Sequence, residues 1–162
     1  MEAVMIPSRL SSYLAQRDIQ YDVCAHQHSS TSAQSARTAN VPAHELAKSV
    51  IVEDDEGCLM AVVPADRMVR LRELSRMLGR SHLRLADEDR ITELFTDCER
   101  GAVPALGMAW GLDTVVDEEL ESCPTVYIEG GDHERLLRMS HAQFHALMVP
   151  ARHGQFTVEP RH

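Results

Sequence analysis

The chain has 162 residues, 44% hydrophobic and 25% charged, with a formal net charge of −9. That balance fits a soluble globular domain with a real core, and it excludes a disordered tail, a fibrous repeat and a disulfide-stapled miniature. An acidic chain repels phosphate backbones, so general nucleic-acid binding is excluded and any such contact must be local.

The apolar stretches, such as residues 59–64, are too short to cross a bilayer. The first fourteen residues carry Glu2, Pro7 and Arg9 and lack an apolar h-region, so no export signal is expected and the protein reads as cytoplasmic. Residues 1–5 and 152–162 read as poorly ordered tails. Residues 7–18 predict a helix, with proline near its first turn and Leu10, Tyr13 and Leu14 at helical spacing. Residues 21–25 predict a short strand. Ser29, Ser30 and Thr31 supply N-cap chemistry for a helix ending near Ala39, with Asn40 and Pro42 as stops. Residues 47–52 and 58–63 predict a β-hairpin closed by a solvated five-residue acidic turn, residues 53–57. Residues 66–78 predict a helix ended by Gly79, and residues 87–95 another with acids in its first turn. Residues 101–107 form a glycine-proline loop. Residues 114–116 and 125–128 predict strands. Ser140 and Gln143 form a capping box for a last helix to about Met148. No repeat or linker interrupts the chain, so one mixed α+β domain is expected over residues 1–162, with its core at about 7–150.

Several residues carry candidate chemistry. Lys48 is the only lysine, against fifteen arginines. Lysine is a compact charge whose pKa responds to burial, whereas arginine is a planar fork that stays charged. Lys48 enters an apolar strand between small neighbours, Ala47 and Ser49. It is either a strand-edge residue reaching water or a group held for a ligand. The glycine-proline loop is either a plain connection or a cradle of backbone N–H groups. His133, after Gly130 and Gly131, is either an exposed turn histidine or a site group. Arg67, Arg70, Arg72, Arg76, Arg80 and Arg84 stand against only Asp66 and Glu73, the one stretch suited to a phosphate backbone, and otherwise a solvated helix face. His141 and His145, at i and i+4 of a helix, lack an evident third metal ligand, and His26 and His28 read as structural or surface groups. Cys24, Cys58, Cys98 and Cys123 form no C-x-x-C pair and read as reduced packing thiols, so no structural zinc site is expected.

Five segments then fall in a telling order: His28-Ser-Ser-Thr-Ser-Ala-Gln-Ser-Ala36, Leu46-Ala-Lys-Ser-Val50, Met60-Ala-Val-Val-Pro-Ala-Asp-Arg67, Asp97-Cys-Glu-Arg-Gly-Ala-Val-Pro-Ala-Leu-Gly107 and Tyr127-Ile-Glu-Gly-Gly-Asp-His133. No one of them is specific. Their ordered set, from about Pro7 to Met148, resembles the YbaK/EbsC family and the editing domain inserted in bacterial prolyl-tRNA synthetases. The resemblance implies an α+β fold whose mixed, largely antiparallel sheet curls into a partly open barrel with flanking helices. It also implies a free-standing deacylase that hydrolyses the ester between a wrong amino acid and the terminal adenosine of a tRNA, commonly tRNA-Pro. Its implied partners are the acceptor end of mischarged aminoacyl-tRNA and a synthetase or elongation factor that delivers it, with no membrane, DNA, metal or cofactor.

On that resemblance Lys48 is a charge partner for oxygen at the adenosine end, N–H groups around Gly101 cradle the oxyanion, and His133 is a polar wall group. Thr31, Ser49, Val103, Pro104, Gly107 and Gly131 contact substrate; for such a tRNA the local positive charge of residues 66–84, read from the sequence itself, offers Arg67, Arg70, Arg76 and Arg80 to the backbone. An aminoacyl ester is already activated, so orientation and oxyanion stabilisation suffice, and water or the substrate's own thiol or hydroxyl attacks. Ala105 stands where many relatives have a second proline and Ser49 where threonine is frequent, which bears on amino-acid choice. The alternative is a non-catalytic module on the same fold that binds an aminoacyl end or a protein.

Overall fold

The computed structural model describes residues 6–160. The tail expected at residues 1–5 lies outside them, as do residues 161 and 162. Along the chain come α1 (Ser8–Gln16), β1 (Asp22–Ala25), α2 (Ser32–Thr38), a 3-10 turn (Ala43–Glu45), β2 (Leu46–Asp54), β3 (Gly57–Pro64), β4 (Met68–Val69) and α3 (Leu71–Leu78). Then follow β5 (Arg84–Leu85), α4 (Glu88–Leu94), a second 3-10 turn (Gly107–Trp110), β6 (Asp113–Asp117), α5 (Glu118–Glu121), β7 (Thr125–Glu129), β8 (Arg135–Ser140), α6 (His141–Leu147), β9 (Arg152–Gly154) and β10 (Thr157–Val158).

Local chemistry sets the helix ends. Thr31 accepts a hydrogen bond from the Gln34 N–H at 3.1 Å, and Asp87 accepts one from Arg90 at 2.8 Å. Ser140 accepts from Gln143 at 3.3 Å, but the Gln143 side chain takes the Gln20 N–H at 2.9 Å instead of closing the expected capping box.

The main sheet runs β1-β8-β7-β2-β3-β6-β9, with β5 also on β2. β2–β3, β2–β5, β7–β8 and β1–β8 are antiparallel, while β2–β7, β3–β6 and β6–β9 are parallel. Its end strands β1 and β9 do not pair with each other, so this mixed sheet is open. Core lies on both sides of β3. Met60 and Val62 join one cluster with Leu14, Ile51, Phe95 and Phe144, while Leu59, Ala61 and Val63 join another with Leu74 and Phe156. Burial of both faces is why residues 58–63 read as a continuous apolar run rather than an alternating one.

Three expectations need correction. The acidic turn is two residues shorter at its start and one at its end: Glu53 pairs with Cys58 and Asp54 with Gly57, leaving Asp55 and Glu56 as the loop. Residues 66–70 are not helical, because β4 pairs with β10 and the Arg70 N–H donates to the Phe156 carbonyl at 2.7 Å. The segment from residue 152 is not a tail. It supplies β9 and β10, and Phe156 is buried to 1% exposure with its N–H donating to Asp117 at 3.0 Å.

Asp54, expected in a solvated turn, is buried beneath the Arg80 guanidinium, which binds both carboxylate oxygens and also donates to the Gly57 carbonyl at 3.2 Å. That guanidinium holds the Asp54 carboxyl at about 2, below an unfolded value of about 3.9. A depressed acid stabilises the fold above its unfolded pKa and loses that contribution as pH falls through the folded one. Asp54→Asn is therefore expected to lower the thermal midpoint at pH 7, with the gap to wild type closing between about pH 4 and pH 2. A gap that stays constant over that range would refute the assignment.

Candidate functional site

Side chains alternate along a strand, so Lys48 and Ser49 look to opposite faces of β2. Ser49 shares its face with Ala47 and Ile51 of the larger core cluster. Its hydroxyl donates to the Val103 carbonyl at 3.0 Å, which ties the glycine-proline loop to the sheet. Lys48, on the other face, is half-buried, and its Nζ donates to the Arg67 carbonyl at 3.4 Å. Burial lowers the Lys48 pKa below the ordinary lysine value, against a smaller opposing pull from Asp66. Lysine and loop are thus presented by consecutive residues, on the two sides of one strand.

The loop is not a solvated connection. Ala102, Val103, Pro104, Ala105, Leu106 and Gly107 are all buried. The Ala102 N–H goes to the Glu99 carbonyl at 3.1 Å and the Leu106 N–H to the Pro104 carbonyl at 2.8 Å. The N–H groups of Gly101, Val103 and Ala105 find no acceptor among the described residues. Buried backbone donors are normally paired, so the N–H groups of Val103 and Ala105, beside the exposed one of Gly101, suit an incoming oxygen. Gly107 packs so tightly that a Cβ there would meet Thr114 Oγ1 at 2.7 Å.

His133 closes the other side of the turn at Gly101. It is 1% exposed, which removes the exposed-turn alternative. Its Nε2 lies 2.6 Å from the Arg100 carbonyl, and a carbonyl only accepts, so Nε2 carries the hydrogen. The Ser29 N–H donates back to the His133 carbonyl at 3.3 Å, and the Glu99 N–H donates to the Gly131 carbonyl at 2.8 Å. These bonds converge under an open depression of about 450 Å³ lined by His28, Ser29, Ser30, Glu99, Arg100 and His133. At its mouth His28 meets Glu99 at 2.8 Å, and that contact raises the His28 pKa. Thr31 sits nearby in sequence, exposed, with its oxygen used as the α2 cap.

The structure therefore gathers Ser49, Val103, Gly101, Gly131 and His133 through a linked set of bonds, and places Lys48 beyond the strand. The arginines divide. Arg80 is committed to Asp54, and Arg67 donates to the Thr157 hydroxyl at 2.8 Å and carbonyl at 3.2 Å. Arg70, Arg72 and Arg76 remain exposed on or beside α3, with Glu73 next to Arg70 and Arg76. His141 and His145 both approach Glu121, at 3.7 and 3.1 Å, and His153 joins them at 3.3 Å. No group of three or more His, Cys, Asp or Glu side chains among the described residues is arranged to hold a metal ion. All four cysteines are free, and burial pushes the Cys98 thiol up to about 12, far from a reactive thiolate.

One group escaped the sequence reading. Glu129 ends the apolar strand β7, is 1% exposed, and receives the Ser32 hydroxyl at 3.2 Å. Its place in the apolar run Val126-Tyr127-Ile128 was the available signal, since a carboxylate there must be either buried with partners or facing out.

Comparison with known proteins follows the same segments. A family model described as an aminoacyl-tRNA editing domain matches residues 26–147. A proline–tRNA ligase of Thermosipho africanus (strain TCF52B) is 35% identical over 65 residues, covering 40% of this chain and 12% of the ligase. The chain thus spans about an eighth of that relative's length. The solved structure of hypothetical protein APE2540 superposes with a TM-score of 0.81 at 24% identity, covering 93% of this chain and 99% of that one. A protein provisionally described as a trans-editing enzyme for prolyl-tRNA synthetase superposes with a TM-score of 0.81 at 22% identity, covering 98% and 99%. At these identities the two structures share the fold with this chain. Among the described residues no helix is long and apolar enough to cross a membrane.

Proposed function

The chain belongs to the aminoacyl-tRNA editing domain family, and from that premise we propose that it is a trans-acting aminoacyl-tRNA deacylase. Its proposed substrate is tRNA-Pro carrying a small non-cognate amino acid, met at the acceptor end in the cytoplasm. A synthetase or elongation factor delivers that tRNA, which accords with the weak general affinity expected of a chain with net charge −9.

The observation that supports this reading best is the loop with uncommitted N–H groups at exposed Gly101 and at buried Val103 and Ala105. In ester hydrolysis the carbonyl oxygen gains negative charge as the nucleophile adds, and fixed N–H donors stabilise that charge without reorganising. Ser49 and His133 hold the loop from its two sides, at Val103 and at Arg100. Lys48 offers a cation for a phosphate oxygen or the ester carbonyl oxygen at the adenosine end of the substrate. The attacking group is water or the substrate's own side chain, and no protein general base is assigned. Val103, Pro104, Gly107 and Gly131 shape the amino-acid side of the site, Thr31 meets the nucleotide, and the exposed Arg70 and Arg76 lie along the acceptor stem, with Arg67 and Arg80 fixing the surface that carries them.

The deciding experiment is a deacylation panel over tRNA-Pro charged with alanine, cysteine, serine and proline, beside unrelated mischarged tRNAs. Release above the spontaneous rate from at least one small non-cognate ester is the expected result. Binding of the aminoacyl end without turnover on any member would instead make the chain a recognition module.

A further inference from the structure

A buried polar group with no part in the proposed chemistry stands against His133 beside the Gly101 turn. Glu129 on β7 and His133 in the turn after it are each 1% exposed. Their facing atoms, Glu129 Oε2 and His133 Nδ1, stand 3.8 Å apart. Neither Glu129 Oε1 nor His133 Nδ1 has a hydrogen-bond partner among the described residues. Because Nε2 gives its hydrogen to the Arg100 carbonyl at 2.6 Å, Nδ1 of the neutral ring is a bare acceptor. A carboxylate is acceptor-only as well. Two buried acceptors, Oε2 and Nδ1, thus face each other across 3.8 Å, and a single proton on either one turns that repulsion into attraction, while Oε1 stays without a partner.

The remaining groups around the carboxyl do not supply that proton. From α2 the Ser32 hydroxyl donates to Oε2, and the Ser35 hydroxyl, 2.7 Å from that of Ser29, lies close enough to favour the carboxylate but makes no hydrogen bond to Oε1 or Nδ1. Asp132 is taken up by Arg135. The Arg100 guanidinium goes to Asp89 at 3.2 Å, and His28, edge-on to His133 at 5.8 Å, goes to Glu99.

We propose that Glu129 and His133 hold one proton between them, and that Glu129 is a positioning residue which, by fixing the His133 ring, fixes the Arg100 carbonyl and with it the Gly101 turn. The role in catalysis rests on the deacylase reading, whereas the shared proton does not. Burial pushes the Glu129 carboxyl up to about 7, with the Asp132 charge adding and the Ser35 and Ser32 hydroxyls opposing. The proton is therefore present at and below neutrality and is lost as pH rises through it. Loss leaves a buried carboxylate against a bare ring nitrogen, and the ring is pushed off the Arg100 carbonyl.

Two measurements on the full chain test this. In Glu129→Gln the amide keeps the shape and, with its nitrogen in the place of Oε2, donates permanently to Nδ1 while the Ser32 hydroxyl turns to accept from it. The ratio of variant to wild-type kcat/KM, after subtracting spontaneous hydrolysis, is expected to rise about tenfold between pH 6 and pH 8, the change in protonated fraction of a group titrating near neutrality. Glu129→Ala, which leaves Nδ1 unpartnered, is expected to fall below Glu129→Gln at every pH. Parallel pH profiles for wild type and Glu129→Gln overturn the positioning role. Separately, carboxyl-carbon NMR of the wild type is expected to show one glutamate titrating near pH 7, absent in Glu129→Gln. If every glutamate titrates near its ordinary value of about 4.3, the shared proton is overturned. Should no substrate turn over, the deacylase reading fails and the NMR result still decides the proton.

Discussion

Lys48→Ala is expected to abolish deacylation, lowering kcat/KM by at least about 10²-fold, the loss typical of removing one oriented group from a charge-stabilising site. The thermal midpoint is expected to move little. The fold gains nothing from this ammonium: burial lowers its pKa, which means that folding disfavours the charge. Its one hydrogen bond, to the Arg67 carbonyl, is long at 3.4 Å. A charge kept at a cost, by a chain that otherwise uses arginine at fifteen positions, points to a requirement outside the fold. Lys48→Arg is expected to fail as well. The planar fork is larger than the ammonium and remains charged under desolvation, so it neither fits nor adapts at a point-charge site. Deacylation by Lys48→Ala at the wild-type rate would remove lysine from the mechanism and leave the loop as the only candidate machinery.

That lysine was legible because it is an anomaly of composition, while the geometry around it was not. Lys48 and Ser49 belong to one motif in the sequence, yet strand alternation sends one to each face of β2, and the loop packs only against Ser49. Local signals fared well where the physics is local. Thr31, Asp87 and Ser140 cap the helices that they precede. What escaped comes from pairing between distant segments. β4 exists because β10 lies beside it, and Asp54 leaves the solvent because Arg80, 26 residues on, reaches it. The Arg135–Ser140 strand is hydrogen-bonded on both sides, to β1 and β7, although its mixture of arginine and leucine carries no clear strand pattern. His133 looked like a turn residue for the same reason. A Gly-Gly-Asp-His run reads as surface until Ser29, Arg100 and Glu129 are brought over it.

Gly101→Ala is expected to lower kcat/KM by at least about 10²-fold, because two separate constraints meet at this residue. Its φ of +79° lies in the left-handed region, where a side chain costs roughly 1–2 kcal/mol. A Cβ there would also stand 2.8 Å from the Ser30 carbonyl oxygen and 3.1 Å from His133 Nε2. The first neighbour is backbone and does not yield cheaply, and the second is the nitrogen that holds Arg100. The turn must therefore open, carrying the adjacent N–H groups away from the position of the oxyanion. Gly111→Ala separates the two constraints. Gly111 has a similar φ of +75°, but its Cβ would meet nothing within 4 Å. That variant is expected to lose the backbone term in stability and to keep its deacylation rate. If Gly101→Ala behaves the same way, with a matching loss in thermal midpoint and an unchanged rate, the close approach of loop, Ser30 and His133 has no part in the reaction, and Gly101 is a turn residue alone.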